Sequence, residues 1–235
     1  VLREYIEECA ELSLEAANED EACFLRFVTH LVVYVSTVLP DVCAQLALPS
    51  AGMDASGDGD GSFSLRELLI LKYVAYLSSR RDLWPHVALY TSLLSDDNIL
   101  DTYSSFLIHV HSNRERQMTL KQARDLFSKG MDLYILRNVV RGMIMCDKED
   151  WVREAGEGPP PSGVDPADAR MMRSIQWLCY YPEHRPDALV TTNMLLRRFL
   201  LSSAGTETEW DLYAPKVFIE KILPKDLLDV ASQGG

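Results

Sequence analysis

Twelve residues, Ser56-Gly-Asp58-Gly-Asp60-Gly61-Ser62-Phe63-Ser64-Leu65-Arg66-Glu67, carry the types and spacing with which a polypeptide binds calcium. A hard dication takes oxygen ligands from loop positions three, five, nine and twelve as well as one, with a turn glycine at six. Asp58, Asp60, Ser64 and Glu67 stand at positions three, five, nine and twelve, and Gly61 at six. Position one is Ser56, a neutral residue where the motif places Asp, so the cage lacks one charge. Just upstream, Leu48-Pro49-Ser50-Ala51-Gly52 is turn sequence, whereas the motif needs an entering helix. Ser64 and Glu67 also form a capping box, in which the serine satisfies an orphan amide and the glutamate reaches back. The stretch is therefore read as a solvated loop ending in a helix start. A weak cation site at Ser56, Asp58, Asp60, Ser64 and Glu67 is the alternative, and would make the chain a calcium-responsive binding module.

Other chemistry is thinly represented. His109 and His111 lie two apart on a predicted helix, about 200° around the axis, and do not converge on one metal. No HExxH, GxSxG, phosphate-loop or GxGxxG pattern occurs. The five cysteines contain no CxxC pair and sit at apolar positions, as reduced buried thiols do. Paired carboxylates such as Glu7-Glu8 and Asp96-Asp97 fall at helix starts or on polar faces. No enzyme activity is expected.

The elements that would position any site are helices. Apolar residues recur with helical period nearly throughout, without strand-like alternation. Helices are predicted over Leu2–Ala17, from Asp20 to Leu39, from Leu65, from Trp84-Pro85 to about Leu94, and from Asp96 or Asp97. Further ones are predicted from a Thr119/Gln122 capping box to about Lys129, from Asp132 to about Arg153, from Asp165-Pro166 to about Tyr180, from Pro186 to Ser202, and between Thr208 and Ile222. The one starting at Leu65 is apolar on most sides, as for a helix buried between neighbours. Short connections favour antiparallel neighbours, so the expected fold is all-α: irregular stacked helical hairpins forming an α-solenoid-like scaffold. Residues 1–235 read as one scaffold region cut from a longer chain, with flexible inter-helix insertions at 50–62 and 156–163.

Composition narrows the partners. A net charge of −12 opposes binding to nucleic acid or to anionic lipid, and no Lys/Arg run exceeds a pair. The most apolar run, Phe24 to Leu39, is short for a bilayer span and contains Arg26 and His30. Neither direct nucleic-acid binding nor membrane insertion is expected.

Residues 171–226 carry the most specific pattern. Ser174-Ile175-Gln176-Trp177-Leu178, Pro182, Arg185, Ala188-Leu189, Asn193, Leu195, Arg197-Arg198-Phe199-Leu200 and Lys221-Ile222-Leu223-Pro224-Lys225-Asp226 closely resemble the scaffold nucleoporins numbered 84 or 107. Val87-Ala88-Leu89-Tyr90 with Leu93-Leu94, Tyr103-Ser104-Ser105-Phe106-Leu107 and, less specifically, His30-Leu31-Val32-Val33-Tyr34 extend the resemblance upstream. It implies a structural subunit of the Y-shaped complex of the nuclear pore, in the nuclear envelope. Its role would be to support nucleocytoplasmic transport, including that of mRNA, through helix-mediated contacts and without a cofactor. It also implies other scaffold nucleoporins as partners. A crown partner would engage the N-terminal part; the tail partner's site is expected past Asp226, outside this middle portion. A vesicle-coat scaffold shares the architecture. Trp177, Phe199, Leu200 and Pro224 are the expected structural anchors, the first three as helix-spaced core and Pro224 as a helix stop.

Overall fold

The computed structural model describes residues 19–38, 65–145 and 166–203, with side chains as far as Phe199. The loop at 56–64, both insertions, the expected first and last helices and Pro224 lie outside the described residues, as does the side chain of Leu200. Within them all regular structure is helical, and the chain divides into two compact units, Val1–Thr102 and Tyr103–Gly235.

In the first unit, α1 (Glu19–Val38) packs on α2 (Leu65–Ser79), and α2 packs on α3 (Trp84–Thr91). Ala22, Leu25, Val28 and Val32 recur at intervals of three and four, so they form one buried stripe. Thr29 shares that stripe, and its hydroxyl donates to the Leu25 carbonyl at 2.7 Å, so the buried oxygen is satisfied. The helix opening at Leu65 starts where predicted, and its broad apolar surface has the predicted cause. Leu69, Ile70, Tyr73, Val74 and Leu77 are all buried because α2 has a helix packed on more than one side. A single 3₁₀ turn, Arg81–Leu83, then leads into α3, whose Pro85 stands in its first turn as expected. That helix ends at Thr91, short of the predicted Leu94, because the amides of Leu93 and Leu94 tighten to the Tyr90 and Thr91 carbonyls.

α1 is longer than the apolar run at its centre. By length and composition alone, Asp20–Val38 is the one stretch among the described residues that is able to cross a bilayer. One face of it, the stripe packed on α2, is core; only 28% of the apolar window is buried, and Phe27, Tyr34 and Val38 stay exposed.

α4 (Asp96–Ile108) starts at the predicted acidic pair, and the second unit begins within it at Tyr103. That unit continues with α5 (Asn113–Leu126), α6 (Met131–Met145), α7 (Pro166–Ser174), 3₁₀ turns at Ile175–Cys179 and Pro182–His184, and α8 (Arg185–Ser203). α6 lies at its centre, packed against α5, α7 and the first 3₁₀ turn; α8 packs on that same turn. Ile135, Leu136, Val139 and Met143 of α6 are fully buried. Between α5 and α6 the Met131 amide donates to the Ser128 carbonyl at 3.0 Å, and Gly130 at the third turn position has φ 87°. Glycine enters that left-handed region without steric cost, which makes the turn sharp.

Two further helix limits differ from expectation. Thr119 is not an N-cap: the helix starts six residues earlier, and Thr119 is buried in its middle. Its hydroxyl donates back to the Glu115 and Arg116 carbonyls at 3.0 Å, and its own carbonyl accepts from Tyr103 Oη at 2.8 Å. Strong helix formers at 114–118 and the burial of Arg116, Leu120 and Ala123 on one face outweigh the local capping signal. The helix from Pro166 is α-helical only to Ser174 and tightens into 3₁₀ geometry through Cys179.

Candidate interaction surfaces

Trp177 is completely buried on the 3₁₀ turn, and Phe199 is 5% exposed on the inner face of α8. Arg116, itself 3% exposed, holds the tryptophan from above: its guanidinium lies 4.8 Å from the ring centroid, and its Nε donates to the Val110 carbonyl at 2.9 Å. A cation held over an aromatic face and bonded to a carbonyl is a stable way to bury a charge. Both anchors are core residues. Asn193 is exposed on the opposite face of α8, between Val190 and Met194.

Glu67 does more than start a helix. Its Oε1 accepts from the Ser95 amide at 3.0 Å and from Asn98 Nδ2 at 3.4 Å, so it holds the first turn of α4. The remaining four positions of the calcium alternative lie outside the described residues. Among the described residues no group of three His, Cys, Asp or Glu is placed to hold a metal ion.

A polar cluster that the sequence did not announce lies beside the Ser128–Met131 turn. Arg124 of α5 bonds Asp132 of α6 at 3.1 Å, also bonds Glu183, and stands 3.5 Å over the Tyr181 ring. His184, 3% exposed, points Nε2 at the same Asp132 oxygen from 3.5 Å and meets Tyr181 edge-on. Burial pulls the His184 pKa below its usual value, although Asp132 pulls the other way. Arg137 of α6 adds a second tie, donating to Asp187 at 2.5 and 2.9 Å. These bonds pin the start of α8 to α5 and α6. They border a cleft of about 510 Å³ whose wall includes Phe127 and Lys129. Its charges largely neutralise one another, so it acts as a clamp.

In the first unit the polar cluster is aromatic. His30 stacks on Tyr90, with ring centroids 5.7 Å apart, and is hydrogen-bonded to its hydroxyl. Tyr73 meets Tyr90 edge-on at 4.8 Å; burial, reinforced by Tyr90, pushes its pKa up to about 12. His30 is shifted down by burial and by the charge of Arg26. His30 therefore serves packing.

Several helices turn large apolar side chains outward. Phe27 (64% exposed), Tyr34 and Val38 form a second stripe along α1, and Tyr134 with Met145 lies on α6. Val190 (71% exposed) and Met194 lie on α8. Apolar periodicity is the same for such stripes as for core faces, so the sequence pattern alone does not mark them.

A family model described as nuclear pore protein 84 / 107 matches residues 2–233. The chain belongs to this family. It is 31% identical over 140 residues to the nuclear pore complex protein Nup107 of Drosophila melanogaster, a match that takes in 58% of this chain and 16% of that protein. The nuclear pore protein 84/107 family is structural and helical, which agrees with the helices seen here and places the chain at the nuclear pore complex of the nuclear envelope.

Proposed function

We propose that this chain is a middle segment of a scaffold subunit in the Y-shaped nuclear pore complex, and that it supports nucleocytoplasmic transport by holding neighbouring nucleoporins through helix faces. The family match from 2 to 233 carries the reading, because it runs through both units. The outward apolar side chains on α1, α6 and α8 support it, since stacked-helix scaffolds recruit neighbours through exposed faces. We assign the crown partner to the N-terminal part and the tail partner to polypeptide beyond this stretch. Residues 1–235 act as one scaffold region with insertions at 50–62 and 156–163. α1 is a packing helix of that scaffold, with no insertion into the bilayer.

Size-exclusion mixing tests the proposal. The chain, extended by its family's flanking segments, is combined with purified Y-complex subunits. Co-elution is expected, and Val190→Glu or Phe27→Glu should weaken it without unfolding the chain. Absence of co-elution with every subunit would defeat the assignment.

A further inference from the structure

A small cleft in the first unit gathers positive charge in a chain of net charge −12. It has a volume of about 260 Å³ and lies where α1 faces the end of α2 and the following 3₁₀ turn. Arg26 and Cys23 come from α1, Tyr73 and Tyr76 from α2, and Arg80 and Asp82 from the residues after it. Both arginines are exposed, and neither has a carboxylate within ion-pair distance among the described residues. The Arg80 guanidinium lies 5.3 Å from the Tyr76 centroid, and Tyr76 stacks on Tyr73. Tyr73 is in turn wedged against Tyr90 and His30, so the floor of the cleft is rigid.

We propose that this cleft is a docking site for a phosphorylated serine or threonine in a segment of a partner polypeptide. Two guanidinium groups carry two positive charges, and one carboxylate neutralises only one of them. A phosphate monoester offers three acceptor oxygens and close to two negative charges, which matches Arg26 and Arg80 together. Asp82 opposes it and lowers the net charge of the cleft to one positive, so the anion must bring more than electrostatic attraction. Phe27, next to Arg26 and 64% exposed, begins the apolar stripe that continues to Tyr34 and Val38. That stripe provides the further contact for residues flanking the phosphate. The same requirement favours a peptide over an anionic lipid surface or nucleic acid, whose many charges would meet the acidic remainder of the chain.

The test uses the full 235-residue chain and three peptide pools that differ only at a central phosphoserine, serine or glutamate, with sodium phosphate as a fourth probe. Fluorescence anisotropy reads binding. The alkylation rate of Cys23, followed on its own peptide by mass spectrometry, reports whether the cleft is filled. The phosphoserine pool should bind and slow alkylation, with the serine pool inert. Arg26→Ala and Arg80→Ala should each weaken binding about tenfold, the scale of one charge-assisted fork. Arg26→Lys and Arg80→Lys, which keep the charge and lose the fork, should fall between, and circular dichroism should show all four variants folded. Asp82→Asn should tighten binding several-fold. Phe27→Ser should weaken the phosphopeptide and leave protection by free phosphate unchanged. Equal binding of the serine or glutamate pool, equal protection by free phosphate at the same concentration, or indifference to both arginine changes would overturn the proposal.

Discussion

The two units of the chain hold their helices by different means. In the first, α2 lies between α1 and α3 and is held by apolar stripes and by stacked His30, Tyr73 and Tyr90. In the second, one charge is carried inward, Arg116 buried over Trp177, and a buried His184 meets Asp132 of the partly exposed Arg124–Asp132–Glu183 bridge. Apolar stripes tolerate sliding and repacking, whereas buried charge is satisfied in one arrangement only. The second unit therefore has the more specific internal register, and the first has the cleft whose arginines are left available.

Breaking the tryptophan anchor should have the largest effect. Trp177→Ala removes a fully buried indole and uncovers Arg116, and should cost about 3–5 kcal/mol, measured by urea unfolding. If Phe199→Ala cost far more than Trp177→Ala, the anchor of the second unit would be α8 itself. Asp132→Ala comes next. It strips the shared partner from Arg124 and His184, and about 1–3 kcal/mol should be lost, against a much smaller change for Asp82→Ala in the exposed first-unit turn. Equal losses at the two aspartates would erase the contrast.

Acid sharpens the comparison further. The folded pKa of His184 lies below its unfolded value, so the unfolded chain binds more protons between the two values and stability falls as pH drops below about 6.5. Its contribution is fully present above that pH and disappears as pH falls through the folded pKa. His30 is shifted in the same direction, so both units are expected to respond. Melting temperatures measured from pH 7.5 to 5 should decline, and His184→Gln should flatten part of that decline. An unchanged slope in the variant would show that the clamp is not the acid-sensitive element.

Gly142→Ala should have the smallest effect. A Cβ there would meet Ile108 Cδ1 at 2.7 Å, but that methyl is the mobile end of a side chain, and the alanine improves helix propensity. The two terms should leave stability within about 1 kcal/mol of the parent in a thermal melt. Calcium at millimolar concentration is expected to leave the same melt unshifted. A clear rise would revive the cation site at Ser56, Asp58, Asp60, Ser64 and Glu67.

Helix existence was legible from local signals. The start at Leu65, the proline in the first turn of α3, the acidic start of α4 and the length of α8 all follow from caps, breakers and apolar period, which act within a few residues. Thr119 shows where such signals fail, because a capping pattern inside a good helix-forming run is overridden by packing of Arg116 and Leu120. The clamp was invisible for a different reason. Arg124 and Glu183 are 59 residues apart, and nothing in either neighbourhood marks the other.

The residue pattern by itself therefore determined an all-helical chain, the position of most helices among the described residues, and a family resemblance around Trp177 and Phe199 that the match over 2–233 bears out. Tertiary structure alone decided which apolar stripes became core and which stayed outside, and which charges met. Periodicity is a property of one helix, whereas burial and ion pairing depend on the neighbour that the helix finds.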